Sequence, residues 1–168
     1  MQRPTAHTDL FTIGYESLKP DRFIELLKKC RVEVLVDVRE LPISRKPGFA
    51  KNALAALLIK NGIEYRHAPE FGCPRDVRHA YRDSGDWVSY THEFLRFLDT
   101  RESALSVFAE FIVERRCCLL CLEEDFNFCH RKYVAEAIAD RVPGGARVNH
   151  LTGPIQGRVV LRSALAVA

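Results

Sequence analysis

Between Cys121 and Arg131 the chain reads CLEEDFNFCHR, setting thiols, carboxylates, an imidazole and a guanidinium directly after a buried-looking apolar run, CCLL. Three chemistries use such groups. Thiol catalysis needs a stabilised thiolate. Cys129, beside His130 at the start of a helix, is electrostatically the better placed, because the acids following Cys121 oppose a thiolate there. Six positions after Cys121, where a phosphatase loop needs its arginine, stands Asn127. A metal site would draw on Cys121, Cys129, His130 and Glu123, types that suit zinc. Their spacing matches no compact zinc module, however, and no metal is expected. The third chemistry is anion binding. Helix starts favour anions, yet this one begins Cys129-His130-Arg131-Lys132. Either Glu123, Glu124 and Asp125 offset that positive charge, or a bound phosphate or carboxylate does, gripped by Arg131 in fork geometry. Both readings stay open.

Similar groups follow two other apolar runs. Asp37 and Arg39 end VEVLVDVR, with Ser44 and Arg45 in the next loop; Tyr65 and His67 end IEYRH, followed by Glu70, Gly72, Cys73 and Arg75. Each has a plain alternative. Asp37 can pair with a neighbouring arginine, Tyr65 can be a hydrogen-bonded core residue, and Glu70 can be a solvated loop acid. Convergence of all three stretches on one rim is what favours function.

The elements that must position these groups alternate. DLFTIGY reads as a first strand, and the helix after it carries Phe23, Leu26 and Leu27 on one face, with Asp21 as its expected cap. VEVLVDVRE is nearly continuously apolar, as a central parallel strand requires. A Pro- and Gly-containing loop leads to a helix closed by Asn61-Gly62 and a third strand, IEYRHA. Residues 68–86 read as a long polar connection. Two helices divided near Thr100, the strand CCLLCLE, the helix HRKYVAEAIADRV and the strand ARVNHL complete the pattern, and the tail from residue 151 offers an edge strand. The expected fold is one α/β domain over residues 1–168, a mostly parallel, Rossmann-like sheet of about five strands flanked by helices. Ligands in such sheets bind beyond the carboxyl ends of the strands, where the polar groups cluster here.

Composition sets limits. At 168 residues with 47% hydrophobic and 28% charged side chains, the chain resembles an ordinary globular protein. No apolar stretch approaches the roughly 20 residues of a membrane span, and the first residues lack a signal-peptide core; a cytoplasmic location with no membrane partner is expected. The six cysteines are expected as reduced, mostly buried small hydrophobes rather than disulfides. The net charge of +3 is too small to indicate nucleic acid by itself, but four arginines and no acid follow from Arg141, and the loop from Arg39 to Lys51 is basic. No Gly-rich dinucleotide fingerprint or P-loop is present, and no cofactor or oligomeric state is indicated.

FTIGYES, LVDVRELPISRKPGF, IEYRHAPEFGCPR and CLLCLEEDFNFCHR, in this order and spacing, resemble the family catalogued as domain of unknown function 488, over about residues 10–150. The matching positions are Gly14, Asp37, Arg39, Pro42, Ser44, Arg45 and Phe49, then Tyr65, Glu70 and Gly72, then Cys121, Glu123, Cys129, His130 and Arg131. Cys73 departs from the family pattern. The resemblance implies a compact α/β domain and supplies no cofactor. VLVDVRELP is also similar to the strand and turn of rhodanese sulfurtransferases, but Cys121 opens a loop of acids where those enzymes have amides and arginine.

The functional expectation is an enzyme acting on an anionic nucleotide or nucleic acid. Arg39, Arg45 and Arg131 would position phosphate, with Ser44 and Tyr65 adding hydrogen bonds. Asp37, Glu70 or Glu123 would transfer protons or stabilise developing positive charge. The alternatives are a non-catalytic nucleic-acid-binding module and rhodanese-like chemistry at Cys121 or Cys129 with His130.

Overall fold

The computed structural model describes residues 7–153 and, as backbone, 160–163. Among the described residues six strands form one sheet: β1 (Thr8–Gly14), β2 (Val34–Asp37), β3 (Glu64–His67), β4 (Cys117–Cys121), β5 (Ala146–Thr152) and β6 (Val160–Ser163). They lie in the order β3-β2-β4-β1-β5-β6. The first five are parallel, and β6 closes one edge antiparallel to β5. This is the expected α/β sheet with the tail's edge strand added; the rest of the basic tail lies outside the described residues.

Among the described residues six helices cover the two faces. On one face lie α1 (Pro20–Lys29) and α2 (Lys51–Lys60), whose Phe23, Leu27, Leu54 and Leu58 bury against Leu35, Cys118 and Leu120. On the other lie α4 (Trp87–Asp99), α5 (Glu102–Glu114) and α6 (Arg131–Ala139), with α3 (Arg75–Ser84) packed at its margin; Phe94, Leu105, Phe108 and Val134 cover Val34, Val36, Cys117 and Leu119. Successive strand residues point to opposite faces, so the unbroken apolar runs of β2 and β4 are required by a sheet covered on both sides. The six cysteines are free thiols, and all but Cys30 are buried.

Two local expectations are corrected. Asp21 does not cap α1: Lys19 is the N-cap, Pro20 fills the first turn, and Asp21 serves as an acid near the helix start. The connection over 68–86 is not irregular. It holds a 3₁₀ turn at Pro69–Phe71 and all of α3, which buries no residue completely and in which charged side chains outnumber the apolar ones. Its punctuation was nevertheless in place, with Pro74 at the N-cap and Gly85 left-handed (φ 68°) after the last turn.

Among the described residues no helix is long and apolar enough to cross a membrane.

Candidate active site

β2 and β4 are neighbours, yet the chain leaves β2 toward α2 on one face and β4 toward α6 on the other. Strands that part in this way open a crevice at their carboxyl ends. A cleft of about 520 Å³ lies there, lined by the ends of β1, β2 and β4, the start of α6, and residues of α3 and α4. Two glycines bring the backbones together around it. A Cβ on Gly14 would collide with the Glu123 carbonyl, and one on Gly72 with the backbone of Glu40.

On the α1/α2 side of the rim, Asp37 is fully buried and receives Arg39 as a fork, Nε at 2.8 Å and Nη2 at 2.6 Å. Tyr65 Oη donates to the same carboxylate at 2.7 Å, and the Arg39 backbone N–H adds a further bond. Arg39 Nη1 donates to Tyr15 Oη and the Phe49 carbonyl, both at 3.0 Å. Burial pushes the Tyr65 phenol above its ordinary range, reinforced by the Asp37 charge. Burial opposes the Arg39 charge, but its bonds to Asp37 outweigh that and hold it firmly protonated. Although Arg39 touches the cleft, its donors are engaged within the protein.

On the other side, Cys121, Cys129 and His130 are 5%, 1% and 5% exposed. Their Sγ atoms and a His130 ring nitrogen all lie within 4.8 Å of one another. The last residue of β4 supplies Cys121; Cys129 follows a 3₁₀ turn at Phe126–Phe128, and His130 is the N-cap of α6. His130 Nε2–H donates to the Val38 carbonyl at 2.9 Å, leaving Nδ1 directed at the thiols, 3.8 Å from Cys121 Sγ. Cys129 Sγ and Glu123 Oε2 lie 3.0 Å apart and share one proton between them. Burial, then the Cys129 charge and hydrogen bond, push the Glu123 carboxyl up to about 7. Burial alone would raise Cys129, but hydrogen bonds from Cys121 and His130 and the charge of Arg131 bring it well below the usual thiol range. Cys121 is raised, by that hydrogen bond to Cys129 and then by burial.

Arg131 has partners other than a ligand. It is completely buried, donating to the Glu123 carbonyl (2.5 Å), the Glu124 carbonyl (3.2 Å) and Thr12 Oγ1 (3.3 Å). Its guanidinium braces the loop between β4 and α6, and the carbonyls of that loop answer its charge from within the chain. Thr12 Oγ1, which accepts from Arg131, also makes a hydrogen bond with His150 Nδ1, 2.7 Å away. His150 is buried against Phe126, ring centroids 3.8 Å apart, and burial, followed by the charges of Arg131 and Lys132, lowers its pKa to about 4.

Of the remaining candidates, Ser44 Oγ accepts from the Lys46 backbone N–H and shapes its own loop, and Arg45 is exposed on that loop. Glu70 is half-buried in the 3₁₀ turn after β3. None of these three lines the cleft, and neither does Tyr65. The rim therefore assembles Cys121, Glu123, Cys129 and His130 as one group and Asp37, Arg39 and Tyr65 as another.

Sequence reasoning missed the cleft's aromatic wall. Trp87 stacks on Tyr90 (4.5 Å between centroids, 16° between planes), with Tyr81 and Phe128 meeting Trp87 edge-on at 5.3 and 5.4 Å. Arg78, paired with Glu40 at 2.6 Å, and exposed Arg82 also line the cleft. The missed signal was Arg78, Tyr81 and Arg82 at helical spacing in a stretch read as loop.

The sequence profile of the family described as Domain of unknown function DUF488 matches residues 19–138. The chain belongs to the DUF488 family. Neither a curated protein nor a solved structure shows significant similarity to it. The matched span of this DUF488 protein takes in β2, β4 and the whole Cys121–Arg131 segment, so both polar groups of the rim fall inside the family region.

Proposed function

We propose that this protein is an enzyme acting on a planar anionic substrate of the nucleotide class, bound in the cleft above β2 and β4. One observation carries the reading: the same cleft is lined by Cys121, Glu123 and His130, by the Tyr81–Trp87–Tyr90–Phe128 wall, and by Arg78 and Arg82. Exposed ring surface offers stacking to a flat base. Arg82, and Arg78 on release from Glu40, would hold the phosphate, in place of the arginines expected from sequence. Glu123, on the cleft wall beside the thiols, is the group placed to transfer a proton.

The local structure favours this over sulfur transfer. The loop after Cys121 turns its Glu123 and Glu124 carbonyls to Arg131 and its Glu124 N–H to the Glu16 carboxylate. The Asn127, Phe128 and Cys129 N–H groups are likewise engaged within the loop, and none of these four amides is turned to cradle an anionic sulfur donor. A purely basic nucleic-acid module, for its part, would use Arg45, exposed on the loop after β2, and Lys51, exposed at the start of α2, and would show steep salt dependence.

Trp87 is the only tryptophan in the chain, so its fluorescence reports the cleft directly. Nucleoside monophosphates should quench it saturably, nucleosides and inorganic phosphate less strongly, and Arg78→Ala with Arg82→Ala should abolish the response. Unchanged fluorescence and melting temperature with every nucleotide would overturn the reading. Oligonucleotide binding that depends on Arg45 and Lys51 and leaves Trp87 unperturbed would replace it with the binding module.

A further inference from the structure

We infer that Cys121 Sγ, Cys129 Sγ and His130 Nδ1 form a binding site for a zinc-type divalent cation, with its remaining coordination position turned toward the cleft beside Glu123. Two thiolates and an imidazole are the borderline-soft donor set that selects zinc among common divalent ions. Three protein ligands with a fourth position open to a cleft describe a catalytic rather than a closed structural site.

Geometry supports it. Zn–S bonds of about 2.3 Å and Zn–N bonds of about 2.0 Å in tetrahedral arrangement place S and N about 3.6 Å apart and the two sulfurs about 3.8 Å apart. Cys121 Sγ and His130 Nδ1 are 3.8 Å apart, and the widest separation among the three donors is within 4.8 Å. An ion would have to draw the widest pair together by only about 1 Å.

The surroundings are those of a metal site. His130 donates its other ring N–H to the Val38 carbonyl, which fixes the tautomer and aims Nδ1 at the thiols. Arg131 pins the Glu123 and Glu124 carbonyls of the loop that runs from Cys121 to Cys129. Cys121, Glu123 and His130 line the cleft whereas Cys129 does not, so an ion among the three donors has the cleft on one side only.

The spacing that matches no compact zinc module, with Cys129 directly before His130, is resolved by the backbone. Cys129 is extended (φ −139°, ψ 136°) and His130 helical (φ −60°, ψ −24°), and this bend turns two consecutive side chains toward one point.

The test is titration of the reduced, metal-free protein with Co²⁺, followed by displacement with Zn²⁺. One equivalent per chain should give near-ultraviolet thiolate-to-cobalt bands and strong visible bands of tetrahedral Co²⁺. Cys121→Ser and Cys129→Ser should each weaken binding by more than about 100-fold, beyond the loss from removing an outer partner. Cys73→Ser, which removes a neighbouring cleft thiol outside the triad, should leave the spectrum intact. Should the buried variants fail to fold, alkylation of the wild type followed by peptide mass spectrometry decides. Zn²⁺ should protect Cys121 and Cys129 and leave the other thiols' labelling unchanged. No cobalt bands and no protection would overturn the inference, as would bands that survive loss of both thiols. The inference and the proposed function fail separately: nucleotide quenching of Trp87 in protein unable to bind metal overturns the site alone, and stoichiometric metal without nucleotide response overturns the substrate reading alone.

Discussion

The rim carries two polar clusters at the ends of adjacent strands, one after β2 and one after β4. Both are buried, both combine acids with cations, and sequence placed both among the candidates. They differ in unused valence. Asp37 is met by the Arg39 fork, the Arg39 amide and the Tyr65 hydroxyl, and Arg39 by Asp37, Tyr15 and Phe49. Around Cys121, Cys129 and His130, donor atoms converge on one another and the cleft is at their side. A network that satisfies itself holds a fold together, whereas one with lone pairs left facing a cavity is available for chemistry.

Removing one partner of the first cluster should have the largest effect on stability. Asp37→Ala strands a buried guanidinium and should cost about 3–5 kcal/mol in urea unfolding; a loss below about 1 kcal/mol would mean that this cluster is not the structural one. Gly14→Ala, which drives a methyl into the Glu123 carbonyl, should cost about 1–3 kcal/mol and also distort the second cluster, seen as weakened Co²⁺ binding.

Acidification separates the second cluster's support from the first. His150, with Arg131, Lys132 and Cys129 contributing to its electrostatic surroundings, titrates at about 4 when folded against an ordinary 6.5. The unfolded chain therefore takes up this proton first. Stability is unaffected above about pH 6.5 and falls between there and pH 4, by up to about 3 kcal/mol. His150→Asn should flatten that part of the pH–stability curve, and an unchanged slope would refute the assignment.

Glu123→Gln should change stability by no more than about 1 kcal/mol while leaving nucleotide quenching of Trp87 intact, in contrast to Asp37→Ala. Smallest of all, Arg45→Ala on the exposed loop should shift stability by less than about 0.5 kcal/mol and leave nucleotide affinity unaltered. A marked loss of affinity would move the binding surface from the cleft to that loop.

The alternation of strands and helices was legible because β4 is apolar throughout, β2 is apolar up to its closing Asp37, and the larger helices have clear faces. The α3 helix was not, because Val77 and Tyr81 only partly bury and most of its surface is solvated. At the rim, residue types announced chemistry, but partners did not. Nothing in the spacing tells that Arg131 reaches back to the loop carbonyls, or that Arg39 folds onto Asp37 two residues earlier. Those pairings depend on which face of the sheet each side chain leaves from, and that is settled only when the strands are in register. Ser44, Arg45 and Glu70 belong to the same motifs as the rim residues, yet none of them lines the cleft.

The strand order has a consequence for how the molecule comes into being. β4, residues 117–121, lies between β1 and β2. A chain emerging from the ribosome can make β2 and β3 side by side, but β1 must wait for a strand synthesised about a hundred residues later before the sheet is continuous. Closure of the sheet and assembly of the cleft are then one event, since the strand that fills the gap ends in Cys121.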